Sequence, residues 1–254
     1  MFSAGRVSLT TLKIEARQEI FPLKHPFRIS RGSRTEACVV TVSVSDGEYT
    51  GRGEGVPITR YNQTVDSVLA QVSSIARSSP IWIAINCQQL LPPGAARNAL
   101  DCALWDLEAK RSGKRAWELA NIPIADQVET SFTISLDTPA RMADAAAAAI
   151  DLPILKLKLC GDDSDLARVE AVRAAAPNAR LLIDANESWS PRHYRNTVSA
   201  LKELGVELIE QPFPADADDV LETLEHPIPV CADESCHTSI DLAASEESLR
   251  SNQH

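Results

Sequence analysis

The chain has 254 residues, 44% of them hydrophobic, which is enough to bury a sizeable core in one or two domains. Its net charge is −10 with a pI near 5.0, and no basic block or stripe occurs, which argues against nucleic-acid binding and for a metal or small-molecule partner. The six cysteines form no C-x-x-C pair, residues 1–17 lack the apolar core of a signal peptide, and no run approaches the roughly 18 apolar residues of a membrane span. The expectation is a reduced, cytoplasmic protein with no membrane partner.

In chain order, residues 7–19, 38–46 and 48–57 have strand character, and Asp46-Gly47 is a hairpin signal, so the chain opens as an antiparallel meander. Helices are expected over 64–77 and 94–112; in the second, Leu100, Leu104 and Leu107 recur at helical spacing, Trp105 adds bulk and Gly113 supplies the stop. Residues 121–126, with Pro123, read as a linker, which places a boundary near residue 125. A strand over 127–135 follows, then an alanine run, Ala143 to Ala149, that suits a helix interior.

From there the pattern repeats. Short apolar runs over 153–159, 179–184, 206–210 and 229–233 alternate with helical stretches over 163–176, 191–204 and 216–225. The fold class is therefore α/β: an α+β domain over 1–125, then an incomplete (β/α) TIM-type barrel over 126–254 with about five of eight strands. Residues 245–254 are polar and carry no strand pattern.

The runs end in Lys158, Asp184, Glu210 and Asp233, at intervals of 26, 26 and 23 residues. Parallel strands of that period place the four groups together at the C-terminal rim of the sheet, where active sites of such barrels lie. Lys156 and Lys158 share one face of their strand while Leu155, Leu157 and Leu159 share the other. An isolated K-x-K is ordinarily a solvated pair on an edge strand; one period before three carboxylates it reads as a catalytic pair, with mutual repulsion lowering the pKa of one lysine. Singly, Asp184 could cap a turn, Asp233 could cap a helix and Glu210 could pair with a cation. Jointly the three acids offer only hard oxygen donors, which suit Mg²⁺, with Mn²⁺ the alternative ion. A divalent cation beside an amine base fits removal of a proton from carbon next to a carboxylate, with the resulting ene-diolate charge stabilised. His25, His193 and His226 are expected in solvent or at loop caps, and Cys236 and His237 in supporting positions near Asp233.

These residues resemble the enolase superfamily in its muconate-lactonizing subgroup, and within it the bacterial dipeptide epimerases. The likeness covers nearly the whole chain and rests on residues 27–37 (FRISRGSRTEA), 94–106 (GAARNALDCALWD), 155–158 (LKLK), 184–189 (DANESW), 208–212 (LIEQP) and 231–237 (CADESCH). The resemblance implies an N-terminal capping domain over 1–125, Lys158 as acid/base and Lys156 as its electrostatic partner. It implies Mg²⁺ on Asp184, Glu210 and Asp233, and a dipeptide substrate of the Ala-Glu type, linked to cell-wall peptide metabolism. Ser135, Arg31 and Tyr61 would lie near that substrate, Arg31 gripping a glutamate carboxylate. Relatives carry a second lysine on a sixth strand and a D-x-D motif on an eighth, neither of which occurs here. Cycloisomerization, succinylbenzoate synthesis or a non-catalytic shortened form stay open as alternatives, as does a homo-oligomeric state.

Overall fold

The computed structural model describes residues 12–76, 87–124, 127–238 and 241–242. The start of the first expected strand, Arg77 and the polar tail over 245–254 lie outside the described residues. The chain divides into two units, one of residues 1–22 with 36–126 and one of 23–35 with 127–254.

A three-stranded sheet, β1 (Lys13–Ile29), β2 (Gly32–Ser45) and β3 (Thr50–Gly55), opens the fold in the order β1-β2-β3. The hairpin over 46–49 forms where expected: Asp46 accepts from the backbone N–H groups of Glu48 at 3.0 Å and Tyr49 at 2.8 Å, and Gly47 takes a φ of 98°. The first two strands are longer than the sequence reading, which gave no strand over 20–37. Pro22 and Pro26 mask β1 as a strand, and they are tolerated because β1 is a sheet edge, where a missing N–H breaks no ladder.

In the first unit, helices α1 (Val65–Ala76), α2 (Ala95–Ser112) and α3 (Ala116–Leu119) follow the sheet. Gly113 ends α2 in the left-handed conformation, φ 66°, and the next N–H, of Lys114, reaches back to Ala109 O. The core joins Val40, Val42 and Val44 of β2 to Val68 and Val72 of α1 and to Ala99, Leu100, Ala103 and Leu107 of α2. Where β3 and α2 approach most closely there is no room for a Cβ on the strand. Gly51, Gly53 and Gly55 face Ala103, Ala99 and Ala95 in turn, and a Cβ on any of the three would strike helix backbone. Two strand residues advance about 6.7 Å and four helix residues about 6 Å, so each glycine meets one helix turn.

The second unit contains a five-stranded sheet, all neighbours parallel, in the order β4 (Phe132–Ile134), β5 (Ile154–Lys158), β6 (Arg180–Asp184), β7 (Val206–Glu210), β8 (Val230–Cys231). Helices α4 (Pro139–Ala148), α5 (Asp165–Ala175) and α6 (Pro191–Glu203) join successive strands. Two of them start on a side-chain cap followed by proline: Thr138 Oγ1 accepts from Arg141 N, and Ser190 Oγ from His193 N. The expected helix over 216–225 is only a 3₁₀ segment, Asp218–Thr223. Its stretch holds five acidic residues and no lysine or arginine, and aspartate is a weak helix former, so nothing local favours a full α-helix. Leu155, Leu157, Leu159, Leu181, Ile183 and Ile209 form the centre of a core that α4, α5 and α6 cover with Met142, Val169, Val172, Tyr194 and Leu201.

Candidate active site

The even spacing of the polar strand ends becomes lateral alignment in the sheet. Lys158 pairs in register with Asp184, Asp184 with Glu210, and Glu210 with Cys231, two residues before Asp233. Because Leu155, Leu157 and Leu159 are fully buried on one face, the strand pleat sends Lys156 and Lys158 to the other.

Lys158 Nζ donates to Asp184 Oδ2 at 2.5 Å and to Asn186 Oδ1 at 3.0 Å. Lys156 Nζ lies 3.0 Å from Asp184 Oδ2 and 2.7 Å from Glu210, so one ammonium bridges two carboxylates. The repulsion expected from K-x-K does not govern Lys156. Burial opposes its charge, but hydrogen bonds and attraction from Glu210 and Asp184 outweigh that and raise its pKa. Burial likewise works against the Asp184 carboxylate, yet the two lysines hold it below the usual range. Glu210 is pushed up by burial, helped by the nearby Asp184 and resisted by Lys156. Asp233 is raised by desolvation and then by Glu234 and Asp184. Negative charge is therefore in excess around Glu210 and Asp233. An all-oxygen donor set with that excess fits a hard cation, and the Lys156 ammonium already shows where positive charge is held.

Several residues the sequence reading did not assign complete the rim. Asn186, Glu187 and Gln211 all have positive φ, 43°, 66° and 37°, immediately beyond the ends of β6 and β7. Non-glycine residues in this region cost about 1–3 kcal/mol each and collect at functional sites. Asn186 N donates to Asp184 Oδ1 at 2.9 Å, fixing the carboxylate that meets both lysines. The buried Gln211 accepts at Oε1 from Asp233 N at 2.9 Å and from Ser235 N and Oγ at 3.1 and 3.0 Å, while its amide nitrogen donates to Phe213 O and Asp218. It ties the ends of β7 and β8 together. The signal for both was their place within two residues of a charged strand end.

Ser135 follows β4, and its Oγ accepts from Arg28 N at 2.5 Å and donates to Arg28 O at 3.1 Å. Arg31 lies in the two-residue turn between β1 and β2, within the segment that groups with the second unit. Its guanidinium donates to Asn186 O at 2.8 Å, Glu187 at 3.0 Å and Glu234 at 2.7 Å. The grip on a carboxylate expected of Arg31 is thus made to two of the chain's own acids. Tyr61 belongs to the first unit, at the end of the 3₁₀ turn Thr59–Tyr61.

Among the described residues, it is Cys160, Asp162 and Asp165, and not the three expected ligands Asp184, Glu210 and Asp233, that bring ligand atoms within 4.8 Å of one another. Arg168 fills that cluster, donating to Asp162 at 2.5 Å and Asp165 at 2.7 Å, and its hydrogen bonds hold the Asp162 pKa down to about 2. A guanidinium at the centre already neutralises these acids, so this group is structural. His193, expected in solvent or at a loop cap, is largely buried beside it, its ring 5.0 Å from that of Trp189 and its Nε2 3.4 Å from Asp165.

An all-parallel sheet with a lysine pair and three acids at its C-terminal rim, joined to an antiparallel α+β unit, defines a class. The chain belongs to the mandelate racemase/muconate lactonizing enzyme family of the enolase superfamily: residues 11–120 match its N-terminal domain and residues 140–247 the enolase C-terminal domain-like family. It is 42% identical over 236 residues to the L-Ala-D/L-Glu epimerase of Escherichia coli K12, covering 91% of this chain and 73% of the relative. Among solved structures, it is similar to an enolase family member from Agrobacterium tumefaciens with homology to dipeptide epimerases, bound to sodium and L-Ala-L-Glu. That match has a TM-score of 0.86 and 45% identity, over 92% of this chain and 72% of the other. The dipeptide epimerase of Enterococcus faecalis, complexed with Mg and L-Leu-L-Tyr, matches with a TM-score of 0.83 and 27% identity, over 90% and 69% of the two chains. The chain spans 63% to 73% of the length of the curated relatives it matches.

Proposed function

We propose that this chain carries the proton-transfer machinery of a Mg²⁺-dependent dipeptide epimerase, acting in the cytoplasm at the carbon beside a carboxylate in peptides of the L-Ala-D/L-Glu type. The observation that carries this reading is the contact of Lys158 with Asp184 at 2.5 Å, beside Lys156 bridging Asp184 and Glu210. Support for the substrate class comes from the dipeptide epimerases to which the chain is similar.

Lys158, once it has given up a proton, has a lone pair at the open end of the strands and accepts the α-proton. It then carries that proton as an ammonium held by Asp184 and Asn186. Lys156 has its pKa raised, so it keeps its charge through the step and acts as an electrostatic partner, not a second base. Asp184, Glu210 and Asp233 would hold Mg²⁺. When bound, the ion supplies positive charge to the substrate carboxylate as negative charge develops on it. Ser135 holds the end of β1 at Arg28, and Arg31 holds the turn between β1 and β2 beside the strand ends.

Incubation of L-Ala-D-Glu and L-Ala-L-Glu with the protein and Mg²⁺ in D₂O, followed by proton NMR, tests the reading. Exchange of the glutamate α-proton that requires Lys158 is the expected result. Absence of exchange in a folded, Mg²⁺-binding protein would overturn it.

A further inference from the structure

Glu234 is the buried acid next to Asp233, 6% exposed, and the chemistry above does not use it. Its Oε1 accepts from Arg31 at 2.7 Å and from Asn186 Nδ2 at 3.3 Å, while its Oε2 has no hydrogen-bond partner among the described residues. The other end of the same Asn186 amide, Oδ1, accepts from Lys158 Nζ. Asn186 therefore lies between a carboxylate and an ammonium. With its NH₂ toward Glu234 and its oxygen toward Lys158, both contacts are attractive; rotated by half a turn, both are repulsive. A carboxylate half satisfied and shut away from water weakens a fold, so packing alone does not account for it. Arg31 holds this carboxylate and, through the Asn186 carbonyl, the left-handed turn that carries the amide.

We propose that Glu234, clamped by Arg31, is a positioning residue: it orients the Asn186 amide, and that amide aims the Lys158 amine. The chain of contacts runs Arg31, Glu234, Asn186, Lys158. A second contact, Arg31 to Asn186 O at 2.8 Å, closes it into a loop that fixes the turn after β6. The role deepens the epimerase reading and rests on Lys158 being the group that moves the proton. It concerns how the amine is held, so it can be read without turnover. Partners that orient a site's working groups from behind typically contribute about 10–100-fold to activity.

The test compares Glu234→Gln, Glu234→Leu and Asn186→Gly with the unaltered protein. Glutamine keeps an acceptor for both Arg31 and the Asn186 NH₂; leucine removes it; glycine deletes the amide while keeping the left-handed backbone. Two readouts are taken: α-proton exchange split into kcat and KM, and the ¹⁵N NMR signal of the Lys158 ammonium, assigned by its loss in Lys158→Arg. Glu234→Leu and Asn186→Gly are expected to lower kcat by about 10–100-fold with KM within about threefold, and to shift or broaden the Lys158 signal. Glu234→Gln is expected to restore both to near the unaltered values. An unshifted Lys158 signal with unchanged kcat in the leucine and glycine variants overturns the proposal. So does a glutamine variant as damaged as leucine, because charge and not amide orientation would then be what matters. If leucine at 234 prevents folding, Asn186→Gly against Glu234→Gln decides alone. A protein with no exchange at all but with the expected NMR shifts would reject the activity and leave the positioning role standing.

Discussion

The two units handle close packing in opposite ways. In the first, β3 and α2 meet through glycines and alanines, so backbone and methyl groups fill the contact, and Asn98, Asp106 and Lys110 of α2 hydrogen-bond the β3 backbone alongside it. In the second, the strands of an apolar sheet end in charges that run from the buried Lys158 and Asp184 through the half-buried Glu210 to the exposed Asp233, beside three non-glycine residues held in left-handed conformations. The first arrangement rests mainly on steric fit and the second on a balance of charges, so the second should respond more strongly to pH. What the contrast teaches is that, among the described residues, three of the five non-glycine positive-φ residues and the half-satisfied Glu234 carboxylate lie at one rim, which is where chemistry is proposed.

The largest effect should come from Lys158→Ala, which removes the proposed proton acceptor. Exchange in D₂O should fall by about 10³-fold, within the range positioned bases contribute, with KM little changed. Retention of most of the rate would move the base elsewhere.

Asp184→Asn should be the most destabilising change at the rim, because it leaves two lysines without their shared carboxylate, a loss of about 3–5 kcal/mol. Its sign with pH follows from the lowered Asp184 pKa. The carboxylate stabilises the folded state fully above its unfolded value near 3.9, and that contribution is lost as pH falls through the lower folded value. Urea unfolding should therefore show a gap between the variant and the unaltered chain that is wide at pH 7 and narrows in acid. A gap that widened in acid would contradict the ion-pair account.

Gly53→Ala should destabilise the first unit by about 3 kcal/mol at any pH, since the added carbon meets α2 backbone that cannot yield locally. Gly113→Ala has open space around it and only a left-handed φ to bear, so about 1–2 kcal/mol is expected. Equal losses in thermal melts would mean that the glycine row is a conformational requirement and not a steric one.

Much of this was legible in the sequence. The interval of 26 residues placed Lys158, Asp184 and Glu210 on successive strands, and the register makes them direct neighbours. The Asp46-Gly47 turn and the Gly113 stop rest on local backbone chemistry and form as expected. What stayed hidden depended on distant partners. The G-x-G-x-G pattern of Gly51 to Gly55 is visible, but its meaning requires knowing that Ala95, Ala99 and Ala103 lie opposite. The long β1 was masked by two prolines that only an edge strand accepts. Arg31, Asn186 and Glu234 meet from separations of 155 and 203 residues, and no local pattern announces such a contact. The raised pKa of Lys156 was missed because two carboxylates that arrive from other strands outweigh the neighbouring lysine.

The central proposal is that Asp184, Glu210 and Asp233 hold a hard cation beside Lys158. A Mg²⁺ titration read by thermal melting, run on the unaltered chain and on Glu210→Gln, tests it without any knowledge of substrate. The account predicts a rise in Tm for the unaltered chain, reaching about 2.7 kcal/mol of stabilisation at a hundredfold excess over Kd, and none for the variant. No rise in the unaltered chain, or the same rise in both, would contradict it.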